Sequence, residues 1–327
     1  MIVFIFVSNI TIQMTITQLQ YVLAVAEYKN FTLAAEKCFV TQPTLSMQIQ
    51  KIEEELGIQI FDRTKKPIQL TDIGEKIVNQ AKNIVNEADR IQDIVQHQKG
   101  FIGGEFRLGI IPTIMPTLLP MFLSNFIKKY PKVKLIIEEL NTDEIILKLN
   151  NGHLDAAIAA TPLKEEKIKE IVLYFEPFVA YIPENHSNFN KKEIEISDLN
   201  LDEILLLQDG HCFRDGILNL CKNIGNNTDK NNFQLESGSF ETLIKLADEG
   251  LGITLLPFLH TLDLNDKNKT KLRHFKEPKP AREVSIIYPK TELKIHIIDA
   301  LRSTIAGVIK GAIVFQNVEI ISPKPSR

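Results

Sequence analysis

Short apolar runs alternate with amphipathic segments over residues 104–160, and this alternation strongly constrains the fold of the 327-residue chain. We predict, in chain order, the strand Phe106–Ile111, the helix Thr117–Lys129, the strand Val133–Glu138, the helix Thr142–Asn150 and the strand Asp155–Ala160. Strands separated by helices at this spacing are typical of a mostly parallel α/β sheet.

The same alternation repeats more loosely beyond Phe175. We predict the strand Ile204–Leu207, the helices Arg214–Ile224 and Ser239–Glu249, the strands Ile253–Leu256 and Glu283–Tyr288, and the helix Leu293–Lys310. Two lobes crossed by the chain near Phe175–Ile182 and near Leu259–Phe275 would leave a cleft at the carboxyl ends of the strands.

Residues 14–71 are predicted to form an all-α winged helix-turn-helix domain. Thr15 and Gln18 have the spacing of a capping box, and Thr32 is predicted to cap a second helix. Thr41 is predicted to cap a third helix, which ends at Gly57. Its inward face repeats at Leu45, Ile49, Ile52 and Leu56, and Cys38 in the second helix is predicted to be a buried core thiol.

The outward side of the third helix carries short and amide side chains, which suit phosphates and base edges. Residues 61–67 are predicted to be a basic turn between strands, forming a wing. Candidate DNA contacts are Thr41, Gln42, Pro43, Thr44, Ser46, Gln48, Lys51, Arg63, Lys65 and Lys66. The alternative is a three-helix bundle that does not bind DNA, since residues 29–66 hold six Lys and Arg against five Asp and Glu. The acidic run Glu53–Glu55 is predicted to be a solvated face.

Residues 72–100 are predicted to form a long dimerising helix that Thr71 caps. Apolar residues recur every seven positions in two interleaved series, Ile77, Ile84 and Ile91 with Ala81, Ala88 and Val95. Such a heptad seam buries itself against a second helix, which favours a dimer. The alternative is a long helix packed on its own domain.

Composition narrows the class of protein. Hydrophobic residues make up 44% and charged residues 24% of the chain, as in soluble globular proteins. The longest apolar runs are shorter than the roughly 18 residues of a membrane span. Three cysteines indicate a reducing, cytoplasmic setting. The net charge of −3 argues against a wholly basic nucleic-acid coat, but it is compatible with one local DNA-binding surface.

The sequence carries no GxGxxG, P-loop or HExxH motif, and its histidines are scattered, so we predict no cofactor and no metal. Residues 1–13 lack the charged start and cleavage site of a secretory signal. We interpret them as an upstream extension, with Met14 as the natural start; a short N-terminal arm is the alternative.

The segment around two cysteines is the most informative for chemistry. Cys212 lies at a predicted helix start, beside His211 and two residues before Arg214, and both a helix N-terminus and nearby cations lower the pKa of a thiol. Asp215 would oppose this effect unless it pairs with Arg214. Nine helical residues to Cys221 span about 13–14 Å, whereas a disulfide needs Cα atoms about 4.4–6.8 Å apart. The two thiols can therefore bond only if the helix unwinds; otherwise they are two unrelated core cysteines.

Four motifs identify a family resemblance: Phe31-Thr-Leu-Ala-Ala-Glu, Thr41-Gln-Pro-Thr-Leu-Ser, Glu55-Leu-Gly and Phe61-Asp-Arg. They resemble the DNA-binding domain of the LysR-type transcriptional regulators. The resemblance implies a two-lobed, periplasmic-binding-protein-like regulatory domain at 101–317, with lobe I at about 104–175 and 276–317 and lobe II at about 176–275. It implies a DNA-binding regulator and not an enzyme.

Gly210-His-Cys-x-Arg-Asp with a second cysteine at Cys221 is similar to the peroxide-sensing members of that family. The resemblance implies that hydrogen peroxide oxidises Cys212 to a sulfenic acid and that Cys221 closes a disulfide. The peroxide-pocket residues that it implies are Thr113, Thr142, His211, Arg214 and Asp215. A histidine expected downstream of Cys221 is replaced by Asn within Asn226–Asn232.

The same resemblance implies a set of partners: promoter DNA, hydrogen peroxide, RNA polymerase, a thiol reductant such as glutaredoxin or thioredoxin, and other copies of the chain in a dimer of dimers. Two alternatives remain open at this point. One is a LysR-type regulator whose cleft binds a small metabolite, and the other is a thiol peroxidase.

Overall fold

The computed structural model describes residues 14–98, 102–221, 237–313 and 317–323, which belong to two compact units, Met1–Gln98 and Lys99–Arg327. The interpretation of residues 1–13 as an extension lies outside the described residues, as does the Asn226–Asn232 segment. The first unit contains, in order, α1 (Ile16–Tyr28), α2 (Phe31–Lys37), α3 (Gln42–Leu56), β1 (Phe61–Asp62), β2 (Gln69–Leu70) and α4 (Asp72–Gln98).

The starts of the first two helices show how local side chains set their bounds. Thr15 and Gln18 form the predicted capping box at α1. The predicted cap Thr32 is wrong: Asn30 caps α2, because its Oδ1 accepts hydrogen bonds from the backbone N–H groups of Thr32 and Leu33 at 2.8 and 3.1 Å. The amide side chain thus starts α2, whereas α1 ends at Lys29, whose φ of 50° is left-handed.

Helix α3 presents one apolar face to the core of the first unit. Leu45, Ile49 and Ile52 are buried, as their spacing predicts, while Leu56 is partly buried. The helix ends at Gly57, whose φ of 65° is left-handed and suits glycine. Strands β1 and β2 pair antiparallel to form the predicted hairpin. Cys38 is half-buried against this core, and burial raises the pKa of its thiol.

Helix α4 divides the predicted heptad seam between two environments. Ala81 and Val85 are buried against Leu19 of α1. In the isoleucine series, Ile77 is partly buried against the core of the first unit, whereas Ile84 is 37% and Ile91 is 64% accessible. The position of the Val95 side chain lies outside what the structure describes. Within this one chain, α4 therefore packs on its own unit with one side and leaves part of the seam uncovered.

The second unit is an α/β structure. Its first half contains β3 (Gly104–Ile110), α5 (Met115–Lys129), β4 (Val133–Glu139), α6 (Thr142–Asn150), β5 (Ala156–Thr161), β6 (Ile168–Tyr181), β7 (Glu193–Ile194) and two 3₁₀ turns (Ile196–Asp198 and Leu201–Glu203). Its second half contains α7 (Cys212–Leu220), α8 (Phe240–Asp248), β8 (Thr254–Pro257), α9 (Phe258–Leu262), α10 (Asp266–Lys269), β9 (Leu272–Phe275), β10 (Lys279–Pro289), α11 (Ile295–Ala312) and β11 (Val318–Ile320).

The sheet is mixed, which corrects the expectation of a mostly parallel one. Strands β3, β4 and β5 are parallel as predicted, whereas β6 pairs antiparallel with β8, β9 and β10, and β10 pairs antiparallel with β5. The chain enters lobe II on β6 and returns on β10, so these neighbouring strands run in opposite directions. Strand β6 passes from the lobe I core at Tyr174 to the lobe II core at Phe178, within the predicted crossing Phe175–Ile182. In the second predicted range, Leu259 packs in the lobe I core and Phe275 in the lobe II core, before the chain returns to lobe I on β10.

Each lobe has its own core. Lobe I buries residues such as Phe106, Phe122 and Leu301. Lobe II buries Tyr181 and Phe213 among others. Among the described residues, no helix is long and apolar enough to cross a membrane.

Two predicted elements of lobe II differ from those observed. Residues 204–207 are not a strand, since they pair through a single bridge between Ile204 and Ile253. Beside that bridge, a Cβ on Gly252 would lie 2.4 Å from the Glu203 carbonyl oxygen, so the tight approach requires glycine. The helix predicted at Arg214–Ile224 begins two residues earlier and ends at Leu220.

Candidate redox site and nucleic-acid interface

Cys212 is the first residue of α7 and lies against the carboxyl ends of the lobe I strands. Its side chain is 8% exposed and belongs to the lobe I core, although most of α7 packs in lobe II. Its neighbours are Thr142, which begins α6 after β4, and the backbone of Ala160 near the end of β5. The site thus forms where the parallel strands end, as expected for a ligand cleft.

A buried ion pair lies in this site. Arg282 on β10 is 3% exposed and Glu176 on β6 is 1% exposed. The guanidinium donates to Glu176 Oε2 from Nε at 2.9 Å and from Nη2 at 2.7 Å. It also donates to Thr113, reaching Oγ1 at 2.8 Å and the carbonyl oxygen at 3.0 Å. The ring of Phe213, next to Cys212, lies 5.2 Å from the guanidinium carbon.

Arg282 and Glu176 were not predicted as site residues from the sequence. Glu176 is a lone charge between Phe175 and Pro177, and Arg282 is followed by the charged Glu283. A signal existed: charged residues are almost never fully buried unless they are paired. An ion pair between the two opposite charges on the strands that cross between the lobes could therefore have been predicted. Register confirms the match, since Arg282 and Glu176 are direct partners in the β10–β6 ladder.

Burial dominates the electrostatics of Cys212. It raises the pKa of the thiol, and the Arg282 charge, the Thr142 hydroxyl and the Ala160 backbone oppose that rise. Asp215 raises the pKa further. The prediction that the surroundings lower this pKa is therefore wrong in its net direction, because desolvation of the thiolate outweighs the nearby cation.

The other predicted pocket residues have different surroundings. Thr113 accepts a hydrogen bond from Arg282, and Thr142 is a neighbour of the Cys212 thiol. His211 is the N-cap residue of α7, and burial lowers the pKa of its imidazole, which favours the neutral ring at pH 7. The hydroxyl of Thr142 is buried, and within the described part of the chain it has no hydrogen-bond partner.

Arg214 takes another role than the sequence suggested, whereas Asp215 opposes a lowering of the Cys212 pKa, as its position predicts. Arg214 Nε lies 2.8 Å from Asp209 Oδ1, and its Nη1 donates to the Leu207 carbonyl at 3.1 Å. The cation that acts on Cys212 is therefore Arg282 and not Arg214. Burial raises the pKa of Asp215, and the charge of Arg214 partly offsets that rise.

Cys221 lies directly after α7, and the two thiols are in different cores. Cys221 is 1% exposed within the lobe II core, and burial raises the pKa of its thiol to about 11. Both cysteines are free thiols. Since α7 is helical between them, about 13–14 Å of helix separates the two positions.

The candidate DNA contacts lie on α3 and in the turn of the hairpin. Thr41, Gln42, Pro43, Thr44, Lys51, Lys65 and Lys66 are exposed, while Ser46 and Gln48 are half-buried. Four of these side chains already have protein partners. Lys51 Nζ lies 3.9 Å from Glu55 Oε1. The Thr41 and Thr44 hydroxyls are hydrogen-bonded to each other at 2.8 Å, and Gln48 Oε1 accepts from Gln18 at 3.0 Å.

Arg63 has a structural contact that the sequence did not suggest. Its guanidinium lies 2.8 Å from Glu53 Oε2 and 5.1 Å from the centre of the Phe31 ring. The prediction that Glu53 is solvated is wrong, since its carboxylate is buried and accepts hydrogen bonds from the backbone N–H groups of Ile60 and Phe61 at 2.8 and 3.2 Å. Glu53 thus ties α3 to the hairpin.

Among the described residues, no group of three or more His, Cys, Asp or Glu side chains could hold a metal ion. The chemistry that the arrangement supports is that of a buried thiol beside a fixed guanidinium.

Both units match known protein families. Residues 16–75 match the family of bacterial regulatory helix-turn-helix proteins of the lysR family, and residues 99–308 match the LysR substrate binding domain. The DNA-binding transcriptional dual regulator OxyR of Escherichia coli K12 is 32% identical over 298 residues, which cover 90% of this chain and 97% of that protein.

Solved structures show the same similarity. A full-length OxyR variant from Pseudomonas aeruginosa superposes with a TM-score of 0.71 at 35% identity, covering 90% of this chain and 98% of that one. A hydrogen-peroxide-bound OxyR mutant from Corynebacterium glutamicum superposes with a TM-score of 0.62 at 27% identity, covering 94% and 98%. The chain described here belongs to the LysR family of DNA-binding transcriptional regulators.

Proposed function

We propose that this protein is a transcriptional regulator that senses hydrogen peroxide through Cys212 and responds by forming a disulfide with Cys221. The observation that carries the proposal is the setting of Cys212, a buried thiol at a helix N-terminus that contacts Thr142 and lies near Arg282. The similarity to OxyR, including a peroxide-bound structure, supports the same assignment.

The proposed oxidation of the two cysteines by hydrogen peroxide has two steps. The Cys212 thiolate attacks one peroxide oxygen, the O–O bond breaks, and the departing oxygen takes a proton and leaves as water. The resulting sulfenic acid is attacked by the Cys221 sulfur; an S–S bond forms and a second water leaves. Two thiols and one peroxide thus give one disulfide and two waters. Arg282 stabilises the thiolate, and the Thr142 and Thr113 hydroxyls are the groups that would orient the peroxide.

Geometry converts this chemistry into a switch. The thiols lie in separate cores, at opposite ends of α7. A bond between them requires α7 to unwind, because a disulfide spans only about 4.4–6.8 Å between Cα atoms. A helix that must refold is a two-state element, and such an element can pass a local oxidation on to the rest of the molecule.

The readout of the switch is DNA binding by the N-terminal unit. We infer that α3 and the wing contact promoter DNA and that the exposed seam of α4 pairs two chains, which then assemble as a dimer of dimers. Rotation of the subunits would change the spacing of the paired DNA readers. RNA polymerase and a thiol reductant such as glutaredoxin or thioredoxin are the further proposed partners in a reducing cytoplasm.

Thiol trapping tests the proposed chemistry. The purified, reduced protein is treated with roughly stoichiometric hydrogen peroxide, quenched with an alkylating reagent and mapped by peptide mass spectrometry. We expect a Cys212–Cys221 bond, with Cys38 alkylated as the internal control. If both thiols remain free, the cleft responds to another ligand. If peroxide is consumed continuously without DNA, the protein acts as a thiol peroxidase.

A further inference from the structure

The segment Asn317–Ser322, here called the C-terminal strap, lies beyond the region that matches the family. It contacts the start of β10 and the last turn of α7. Its central strand β11 pairs parallel with the start of β10, where Lys279 lies opposite Val318 and Ala281 opposite Ile320. The Ile321 N–H donates to the Ala281 carbonyl at 2.8 Å. The strap is therefore anchored to β10 one residue before Arg282.

The strap also reaches the helix between the two cysteines. Asn219 in the last turn of α7 donates from Nδ2 to the Ser322 carbonyl oxygen at 2.9 Å. Ile321 packs against the lobe II core, which contains Leu220 and Cys221. The strap thus fastens the end of α7 that carries Cys221 to the strand that carries Arg282.

We propose that the C-terminal strap is a latch that holds the last turn of α7 and keeps Cys221 buried in the reduced protein. Its consequence for peroxide sensing rests on the proposed function: the latch sets the rate at which Cys221 reaches the oxidised Cys212. It leaves the first oxidation of Cys212 unchanged, because the strand pairing and hydrogen bonds of the described strap are made to residues 277–281 and to Asn219, and not to that thiol. Any unwinding of α7 moves Asn219 and breaks its bond to Ser322.

The first test needs no peroxide. Iodoacetamide labels the full-length reduced protein, and peptide mass spectrometry gives the labelling rate of Cys221, which follows the population of the open state. Asn219→Ser removes the contact at similar helix propensity. We expect labelling about five-fold faster, since one such hydrogen bond is worth about 1 kcal/mol. Deleting residues 317–327 is expected to accelerate labelling at least as much.

Asn317→Ala is the matched control. The Asn317 side chain donates to Glu277 at 3.1 Å and lies in the strap, so its removal tests a strap amide that does not touch α7. We expect the Cys221 labelling rate of this variant to equal that of the unmodified protein. Unchanged labelling in both Asn219→Ser and the deletion variant would overturn the latch.

The second test separates the latch from the proposed function. We expect peroxide to close the Cys212–Cys221 bond faster in Asn219→Ser than in the unmodified protein. In a Cys221→Ser background, Asn219→Ser should leave the rate of sulfenic acid formation at Cys212 unchanged. Faster Cys221 labelling without any peroxide oxidation of Cys212 would uphold the latch and refute the peroxide-sensing function. A disulfide that forms at the same rate in both proteins would refute the latch's role in sensing.

Discussion

At Cys212, burial and charge act on the thiol in opposite directions. Burial raises its pKa, and the Arg282 guanidinium pulls the pKa down without restoring the ordinary value. Arg282 is itself bound to the Glu176 carboxylate, so the cation that acts on Cys212 does not stand alone. A thiol in this setting is largely protonated at neutral pH, and its reactivity depends on the few groups that stabilise the thiolate.

The pH dependence of Cys212 alkylation measures this balance. Because the thiolate is the nucleophile, we expect the rate to rise with pH and to reach its midpoint above the ordinary thiol pKa of about 8.5. Arg282→Gln should move the midpoint higher and slow alkylation several-fold at pH 7, since it removes the stabilising cation. Arg214→Gln is the control, because Arg214 contacts Asp209. An equal shift in both variants would contradict the assignment of Arg282.

Helix bounds that are set by nearby side chains could be predicted from the sequence, whereas the contacts between secondary structure elements could not. The capping box of α1 and the bounds of α6, Thr142–Asn150, match the predictions because side chains within four residues determine them. The burial of Glu53 was not predicted, for the opposite reason. Its partners at Ile60 and Phe61 lie on the hairpin that follows α3, and an acidic run gives no indication of such a turn.

Glu53 provides a stability test at this scale. Glu53→Ala leaves two buried N–H groups and Arg63 without their acceptor, so we expect it to lower the free energy of unfolding of the N-terminal unit by about 2–4 kcal/mol. The urea dependence of amide exchange in α3 measures this value in the full-length protein. Glu54→Ala, an exposed neighbour, should cost less than about 0.5 kcal/mol. Similar losses in the two variants would show that the Glu53 contacts do not stabilise the hairpin.

For the whole molecule, the sequence predicted two lobes and a DNA-binding unit but not how the lobes are joined. Apolar runs identify strands regardless of direction, so β6 and β10 could not be recognised as an antiparallel pair. The partnership of Arg282 with Glu176, which are distant in sequence, depends on that pairing. Cys212, Thr113 and Thr142 could be proposed as redox-site residues from the sequence because each lies in a local motif.

The proposed assembly of two chains would depend on the seam that α4 leaves exposed. We expect Ile84→Asp to shift the protein from dimers or larger assemblies toward monomers at micromolar concentration, because a charge would enter the apolar seam. Analytical ultracentrifugation measures this shift. Asn79→Asp adds the same charge at an exposed position off the seam and should leave the assembly intact. A monomeric unmodified protein would contradict this account of α4.

The coupling of Cys212 oxidation to DNA binding is most directly tested by footprinting. The probe is a duplex selected from a random library by the reduced protein, and the footprint is recorded before and after stoichiometric peroxide. We expect the unmodified protein to change the extent of its footprint on oxidation and to regain the first pattern after reduction by dithiothreitol. Cys212→Ser should keep the reduced footprint under both conditions. A peroxide-dependent change that persists in Cys212→Ser, or a disulfide that forms while the footprint stays the same, would contradict the account.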